Sequence, residues 1–172
     1  MRFKILTLLS LILLFSSCKK NAENNKVAPL KEGNAQGISE RNIMDLDYIE
    51  YALDQKVDTI VQDWDEYTQI QDVIDEVKTT DLSFFNDNEK AIKLLLKDLK
   101  VNIPEPLKAA SIEARLLVVE TKLYKLESLS NLSSTSKEEL LSTIEEFLVA
   151  FSNLNLQMNK KIEFDTRVIE KP

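Results

Sequence analysis

The chain contains no glycine after Gly37, and this absence restricts the folds that the rest of its 172 residues can form. Tight two-residue hairpins depend on residues that adopt a positive φ, chiefly glycine. Phosphate-binding loops are glycine-rich because the backbone must approach the phosphate closely. The composition therefore disfavours tight hairpins and excludes glycine-rich phosphate loops from this part of the chain.

Apolar residues recur at steps of three and four along the same region, as one face of a helix requires. This periodicity predicts an all-α fold, an antiparallel bundle of three to four helices with one long N-terminal helix. Polar capping residues and prolines set the expected ends. The predicted helices cover residues 39–78, about 86–101, 105–130 and 136 to about 164. The last two are joined by a short polar connector, so they should form an antiparallel hairpin.

The N-terminal residues have the pattern of a secretory signal peptide. Two basic residues precede an 11-residue, largely apolar run at residues 5–15, which is too short to span a bilayer as a helix. The small residues Ser16 and Ser17 follow, and then Cys18, the one cysteine of the chain. A lone cysteine has no disulfide partner within its own chain and needs another explanation.

Leu14-Phe15-Ser16-Ser17-Cys18 resembles the lipobox, the acylation motif of bacterial lipoproteins. Phe15 departs from the Leu, Val or Ile that is usual at its position. The resemblance implies a signal peptide over residues 1–17, a lipidated Cys18 with a disordered linker to residue 38, and a helical bundle domain over residues 39–172. The alternative is an ordinary secretory signal with a free cysteine near the cleavage point.

The Asn- and Lys-rich spacer and the helical body resemble uncharacterised lipoproteins of Bacteroidota, which carry no established activity to transfer. The resemblance implies anchoring through palmitate-type acyl groups, and the absence of Asp after Cys18 suggests the outer membrane. Residues 19–23, Lys-Lys-Asn-Ala-Glu, fit a surface-export signal poorly. We therefore expect a position facing the periplasm rather than the cell surface.

Negative charge is concentrated in the first predicted helix. The chain has a net charge of −7, and residues 39–78 contain twelve acidic residues against Arg41, Lys56 and Lys78. This balance argues against nucleic acid as a partner, because phosphates require a basic surface. It also argues against a domain that lies flat on anionic lipid.

The usual catalytic residues are missing from the sequence. It contains no histidine, which removes the commonest general base and a frequent metal ligand. Acylation would remove Cys18 as a nucleophile, and the serines have no base beside them. Paired carboxylates such as Asp45 and Asp47 lie within a predicted helix, where residues two apart point to different sides. The prediction is a protein that is not an enzyme and has neither metal nor cofactor.

Two groups of residues are candidate interaction surfaces. Tyr48, Tyr51, Asp45 and Asp47 form an aromatic and acidic surface on the early part of the first predicted helix. A second group, at steps of three and four on the second predicted helix, is a basic row: Lys90, Lys93, Lys97 and Lys100. The basic row could dock an anionic group, such as lipid phosphate or an acidic partner. The favoured interpretation is that it lies beside the acidic face of the first helix.

Three functions remain compatible with these features. The leading prediction is a non-enzymatic adaptor or scaffold, which binds another envelope protein of unknown identity through the first helix or the bundle groove. A homo-oligomer formed through the first helix is a further expectation. The alternative is a carrier that holds an apolar ligand between helices, and the least favoured is an enzyme that uses carboxylates alone.

Overall fold

The computed structural model describes residues 37–167, of which 73% are helical and none is in a strand. The predicted all-α class and helical bundle are confirmed. None of the helices in this range is both long enough and apolar enough to cross a membrane. The α-helices are α1 Glu40–Met44, α2 Gln55–Val61, α3 Asp65–Lys78, α4 Glu89–Val101, α5 Ala110–Ser130 and α6 Lys137–Thr166, with short 3₁₀ helices at Ser83–Phe85 and Glu105–Leu107.

The two longest helices, α5 and α6, pair as an antiparallel hairpin, as predicted. Lys122 and Lys125 of α5 both bind Glu146 of α6, with N–O distances of 3.1 and 2.8 Å. Beyond the other end of α5, Lys161 of α6 donates to the carbonyl of Pro106 at 3.4 Å. The apolar positions that alternate at steps of three and four are buried between these helices: Ile112, Leu116, Val119, Leu123, Leu126, Leu140, Ile144, Phe147, Phe151, Leu154 and Met158.

The polar residues at predicted helix boundaries behave as caps and connectors. The hydroxyl of Ser136 accepts a hydrogen bond from the amide of Glu139 at 3.2 Å, which satisfies one free amide at the start of α6. Asn88 precedes the first residue of α4, and its side chain donates to the carbonyl of Phe84 at 3.0 Å. The Ser136 cap accounts for the correct prediction of where α6 begins, whereas Asn88 precedes α4 without capping it through its side chain.

The single long helix predicted over residues 39–78 is wrong. The region forms three helices, α1, α2 and α3, and residues 45–54 between the first two are not helical. We call residues 45–54 the extended segment. A continuous helix of that length could have overhung its neighbours, whereas the observed extended segment runs along α6 and is hydrogen-bonded to it from Ile49 to Asp54.

The extended segment lacks strong helical preference and gains other hydrogen-bond partners. Six of its ten residues are Tyr, Ile or Asp, which are weaker helix formers than the Ala, Leu and Glu that make up the other four. Several of its backbone groups bond to side chains of α6 instead of to one another. Tertiary contacts therefore replace the helical bonds that the periodicity alone had predicted.

The predicted signal peptide, Cys18 and nearly all of the predicted linker lie outside the described residues. The last residue assigned to the linker, Ile38, is fully buried in the core. Before it, Gly37 has a φ of +72°, a conformation that side chains disfavour and glycine adopts readily. The folded domain therefore begins slightly earlier than the predicted boundary at residue 39.

Candidate functional site

Three polar side chains along α6 hold the extended segment against the bundle. The hydroxyl of Ser152 accepts from the amide of Tyr51 at 2.8 Å and donates to the carbonyl of Ile49 at 2.7 Å. One side chain thus satisfies two backbone groups that a helix would otherwise have paired. We call the three residues at steps of three and four the polar row: Ser152, Asn155 and Asn159.

Asn159 makes the equivalent pair of bonds near the end of the extended segment. Its side-chain oxygen accepts from the amide of Asp54 at 2.9 Å, and its side-chain nitrogen donates to the carbonyl of Ala52 at 2.8 Å. Ala52 and Asp54 are exposed, and their backbone groups thus gain partners that a helix would otherwise have supplied. The polar row therefore fixes the path of the extended segment residue by residue.

Asn155 connects the extended segment to the buried core. Its side-chain nitrogen donates to the carbonyl of Tyr51 at 3.1 Å, and its oxygen accepts from the hydroxyl of Tyr67 at 2.9 Å. Tyr67 is 2% exposed, and burial raises the pKa of its hydroxyl well above the usual value, with the bond to Asn155 acting in the opposite direction. The phenol is consequently a neutral, structural hydrogen-bond donor at ordinary pH.

Three aromatic rings pack below this network. Tyr67 stacks between Trp64 and Phe151, with ring centroids 5.6 and 5.4 Å away. The indole N–H of Trp64 is buried and has no hydrogen-bond acceptor within residues 37–167. Aromatic pairs in this geometry stabilise a core beyond simple burial, and Asn155 links the stack to the extended segment by its bonds to Tyr67 and Tyr51.

Two hollows open beside the extended segment and share the ion pair between Glu50 and Lys78. The larger has a volume of 550 Å³, and its lining includes Asp58 and Asp75. The smaller has a volume of 360 Å³ and is lined by apolar residues, Met44 among them, together with the ion pair. The surface around the extended segment is thus indented by two hollows that both contain charged and apolar side chains.

The outer side of this region exposes large apolar residues among carboxylates. Met44 is 78% exposed and Ile49 is 67% exposed. Asp45, Asp47 and Glu50 lie within the same seven positions and are also exposed. We call these residues the acidic patch: Met44, Asp45, Asp47, Ile49 and Glu50.

The first group of predicted interaction residues lies at this surface, but on an extended backbone and with its two tyrosines half-buried. Asp45 and Asp47 are exposed, whereas Tyr48 and Tyr51 are half-buried and belong to the extended segment, not to a helix. Partial burial, and then the charge of Glu50, raises the pKa of Tyr48 to about 12. Acidic side chains, with Met44 and Ile49, therefore dominate the exposed surface, while Tyr48 packs against the hydrophobic core.

The basic row forms no ion pair with residues 39–78, although α4, which carries the row, packs against α3 of that region. Lys100 binds Glu120 of α5 at 2.7 Å. Within the described residues, Lys90, Lys93 and Lys97 are exposed and make no ion pair. Three of the four lysines remain available to something outside this domain.

The polar row was not predicted from the sequence because it lies beside an apolar stripe with the same spacing. Ser152, Asn155 and Asn159 follow the same steps of three and four as Phe151, Leu154 and Met158. A periodic line of small polar residues next to an apolar stripe is the signal that would have found them. What they bond to, about a hundred residues earlier, has no such signal.

Residues 37–167 contain no group of three or more carboxylate, cysteine or histidine side chains placed to hold a metal ion. Comparison with known proteins finds no matching family model, no matching curated protein and no matching solved structure. The functional interpretation therefore depends on the structure alone, a helical bundle with an extended segment fixed along its longest helix.

Proposed function

We propose that this protein is a lipoprotein of the bacterial cell envelope that acts as a non-enzymatic adaptor. In this proposal, acyl groups on Cys18 anchor it to the outer membrane with the domain facing the periplasm. The acidic patch then binds another envelope protein. The observation that carries the adaptor role is the exposed apolar pair, Met44 and Ile49, held among carboxylates on a fixed backbone.

The fixed backbone supports binding because the extended segment loses its conformational entropy when the domain folds, not when a partner binds. Ser152 donates to the carbonyl of Ile49 and accepts from the amide of Tyr51, so the segment does not need to be ordered by a partner. Preorganisation of this kind improves affinity by reducing the entropy lost on association. Exposed apolar residues rimmed by charged ones are typical of protein interaction sites.

Charge defines the chemistry of the partner. Asp45, Asp47 and Glu50 surround the apolar pair, and of these only Glu50 has an ion-pair partner, Lys78, among the described residues. A complementary partner would carry basic side chains around an apolar projection, since opposite charges steer the encounter and fix its register. The proposed ligand is therefore a basic protein surface with an exposed aliphatic or aromatic side chain.

The carrier alternative receives less support from the hollows. The hollow between α5 and α6, lined in part by Val118, Val149 and Ala150, has a volume of 160 Å³. Sites for drug-sized ligands usually have volumes of about 300–1,000 Å³. The larger hollow beside the extended segment contains several charged side chains, which suit a polar group better than an acyl chain.

Site-specific photocrosslinking in the native envelope tests the adaptor proposal. A photoreactive amino acid at Ile49 should give one dominant protein adduct. A matched residue at Leu132, which is 48% exposed on the connector between α5 and α6, should not give it. Replacing Asp45 and Asp47 by Asn should reduce the yield of the adduct, because the charges that orient the partner are lost.

Two results would contradict the proposal in different ways. Equal adducts from positions 49 and 132 would show that the acidic patch has no preferred partner. Mass spectrometry of the purified chain, compared with a Cys18→Ala variant, should detect acyl groups only in the unchanged protein. Their absence would refute the lipid anchor while leaving the photocrosslinking result intact.

A further inference from the structure

The outward face of α4 combines lysines with exposed apolar side chains. Ile92, Leu95, Leu96 and Leu99 are buried and define the inner face of this helix. At 100° per residue, the opposite face is centred on Lys90, Leu94, Lys97 and Val101, at steps of four, three and four, with Lys93 beside them. Leu94 is 57% exposed and Val101 is 66% exposed.

Most lysines elsewhere in the domain are already paired. Of the twelve lysines in residues 37–167, seven form ion pairs with carboxylates of the same range. Three of the remaining five are Lys90, Lys93 and Lys97 on this one face. An acidic protein that leaves these lysines unpaired, next to exposed apolar residues, points to a negatively charged partner from outside.

The apolar part of this face extends onto α5. Lys100 binds Glu120 at 2.7 Å, which brings the Glu120 side of α5 against α4. Leu117 lies one turn before Glu120 on that side and is 54% exposed. We call the combined surface the α4 face: Lys90, Lys93, Leu94, Lys97, Val101 and Leu117.

We propose that the α4 face docks on the anionic surface of a lipid bilayer. A helix with lysines alternating with aliphatic residues fits the boundary between headgroups and acyl chains. The aliphatic side chains enter the apolar region, while the lysine stems extend to the phosphates. Docking on a bilayer would accommodate the lysines and the two aliphatic side chains, Leu94 and Val101, at the same time.

The docking is local, which reconciles it with the negative charge of the whole domain. On α4 itself, four lysines outnumber Glu89 and Asp98. The surplus of acidic residues lies in residues 39–78, on other elements. Each basic residue close to an anionic membrane contributes about a five-fold gain in association, so the three unpaired lysines suffice to orient the domain.

This inference goes beyond the proposed adaptor role, and it uses the proposed acyl anchor only to keep the domain near the membrane. The linker predicted from the sequence, about 20 residues long, would reach roughly 25 Å on average. Within that reach, docking through α4 would turn a loosely tethered domain into one with a defined orientation. The acidic patch would then be held at a fixed angle to the membrane.

Tryptophan quenching by brominated lipids tests the contact directly. The full-length protein, carrying Leu94→Trp, is incorporated into vesicles of brominated phosphatidylcholine with or without phosphatidylglycerol. The native Trp64 is 1% exposed, so its emission serves as a protected background. We expect quenching of Trp at position 94 with phosphatidylglycerol present, and none for Ile49→Trp, a matched aliphatic substitution on the extended segment.

Charge variants separate the role of the lysines from a general effect of the fold. Replacing Lys90, Lys93 and Lys97 by Gln should lower the docked population by one to two orders of magnitude. The control replaces Lys56 and Lys137, the other two lysines without an ion pair in residues 37–167, and should leave quenching unchanged. Circular dichroism should show the same helicity for both variants as for the unchanged protein, which confirms that they are folded.

Three outcomes would overturn the proposal. They are equal quenching at positions 94 and 49, quenching that is the same without phosphatidylglycerol, and no effect of the triple substitution. A photocrosslinker at position 94 that captures an acidic protein, with no lipid quenching, would assign the surface to a protein partner instead. Flotation of the vesicles reports incorporation separately, so a failed anchor is distinguished from failed docking.

Discussion

Replacing Asn155 by Ala should destabilise the domain by much more than an average polar substitution. Two hydrogen bonds disappear, from the hydroxyl of Tyr67 at 2.9 Å and to the carbonyl of Tyr51 at 3.1 Å. A buried polar group left without a partner costs about 1–3 kcal/mol. Most of this cost comes from the Tyr67 hydroxyl, because it is buried. The Tyr51 carbonyl contributes less, because Tyr51 is only half-buried.

The expected loss in the free energy of unfolding is therefore about 2–4 kcal/mol, a large part of the roughly 5–15 kcal/mol typical of a domain. Urea unfolding followed by circular dichroism and by Trp64 fluorescence measures it, and Trp64 reports locally because it stacks on Tyr67. Asn153→Ala is the matched control, since Asn153 is half-buried on the same helix and makes no hydrogen bond within the described residues.

A double-mutant cycle with Tyr67→Phe isolates the bond itself. The single change Tyr67→Phe should cost about 1–2 kcal/mol, because Asn155 keeps an oxygen without a donor. The two changes together should cost less than their sum by at least about 0.5 kcal/mol. Strict additivity, or an Asn155→Ala cost no greater than that of Asn153→Ala, would refute the assignment of this network as a main link between the extended segment and the core.

Three smaller effects can be measured on the same domain. Ser136→Ala removes the cap of α6 and should cost about 1 kcal/mol in thermal unfolding, whereas Ser136→Asp should retain most of it. The hydrogen bonds from Lys125 and Lys122 hold the pKa of Glu146 below its usual range. The stability contributed by Glu146 is therefore present above the unfolded pKa of about 4.3 and is lost as pH falls through the lower folded pKa. Glu146→Gln should cost at most about 1 kcal/mol near neutral pH, and the difference should vanish in acid; a constant difference would contradict it. Thr80 has a φ of +63°, which strains a β-branched residue, so Thr80→Gly should gain about 1 kcal/mol in thermal unfolding.

The α5–α6 hairpin could be predicted from sequence because every local signal agrees there. Apolar steps of three and four run through both helices, Ser136 provides a cap, and residues 131–136 form a polar connector. The structure places α5 at Ala110–Ser130 and α6 at Lys137–Thr166, close to the predicted ranges. Agreement between propensity, pattern and capping is what specifies a fold without reference to distant residues.

The first helix was predicted wrongly because residues far along the chain determine the backbone conformation of this region. Apolar spacing continues from Leu46 through Trp64, so periodicity alone favours one helix. The competing hydrogen bonds come from the polar row, about a hundred positions later in the chain. The exposed acidic character of this region was nevertheless predictable, because Asp45 and Asp47 remain at the surface whether the backbone is helical or extended.

The role of the polar row in fixing the acidic patch can be tested without disturbing the bundle. Ser152→Ala leaves the amide of Tyr51 and the carbonyl of Ile49 without their partners at 2.8 and 2.7 Å. Amide hydrogen exchange of the extended segment should accelerate by roughly ten-fold, the equivalent of about 1.4 kcal/mol, while amides in the middle of α5 and α6 remain protected. Ser142→Ala, on the exposed face of α6, should change neither.

Loss of order in the extended segment should also weaken the proposed function. If the acidic patch binds because it is held in one conformation, Ser152→Ala should reduce the photocrosslinking yield from position 49, even though no residue of the patch has changed. A yield equal to that of the unchanged protein, with faster exchange in the extended segment, would show that the partner itself orders the segment. In that case affinity would arise from the exposed side chains alone, and the polar row would serve only the stability of the fold.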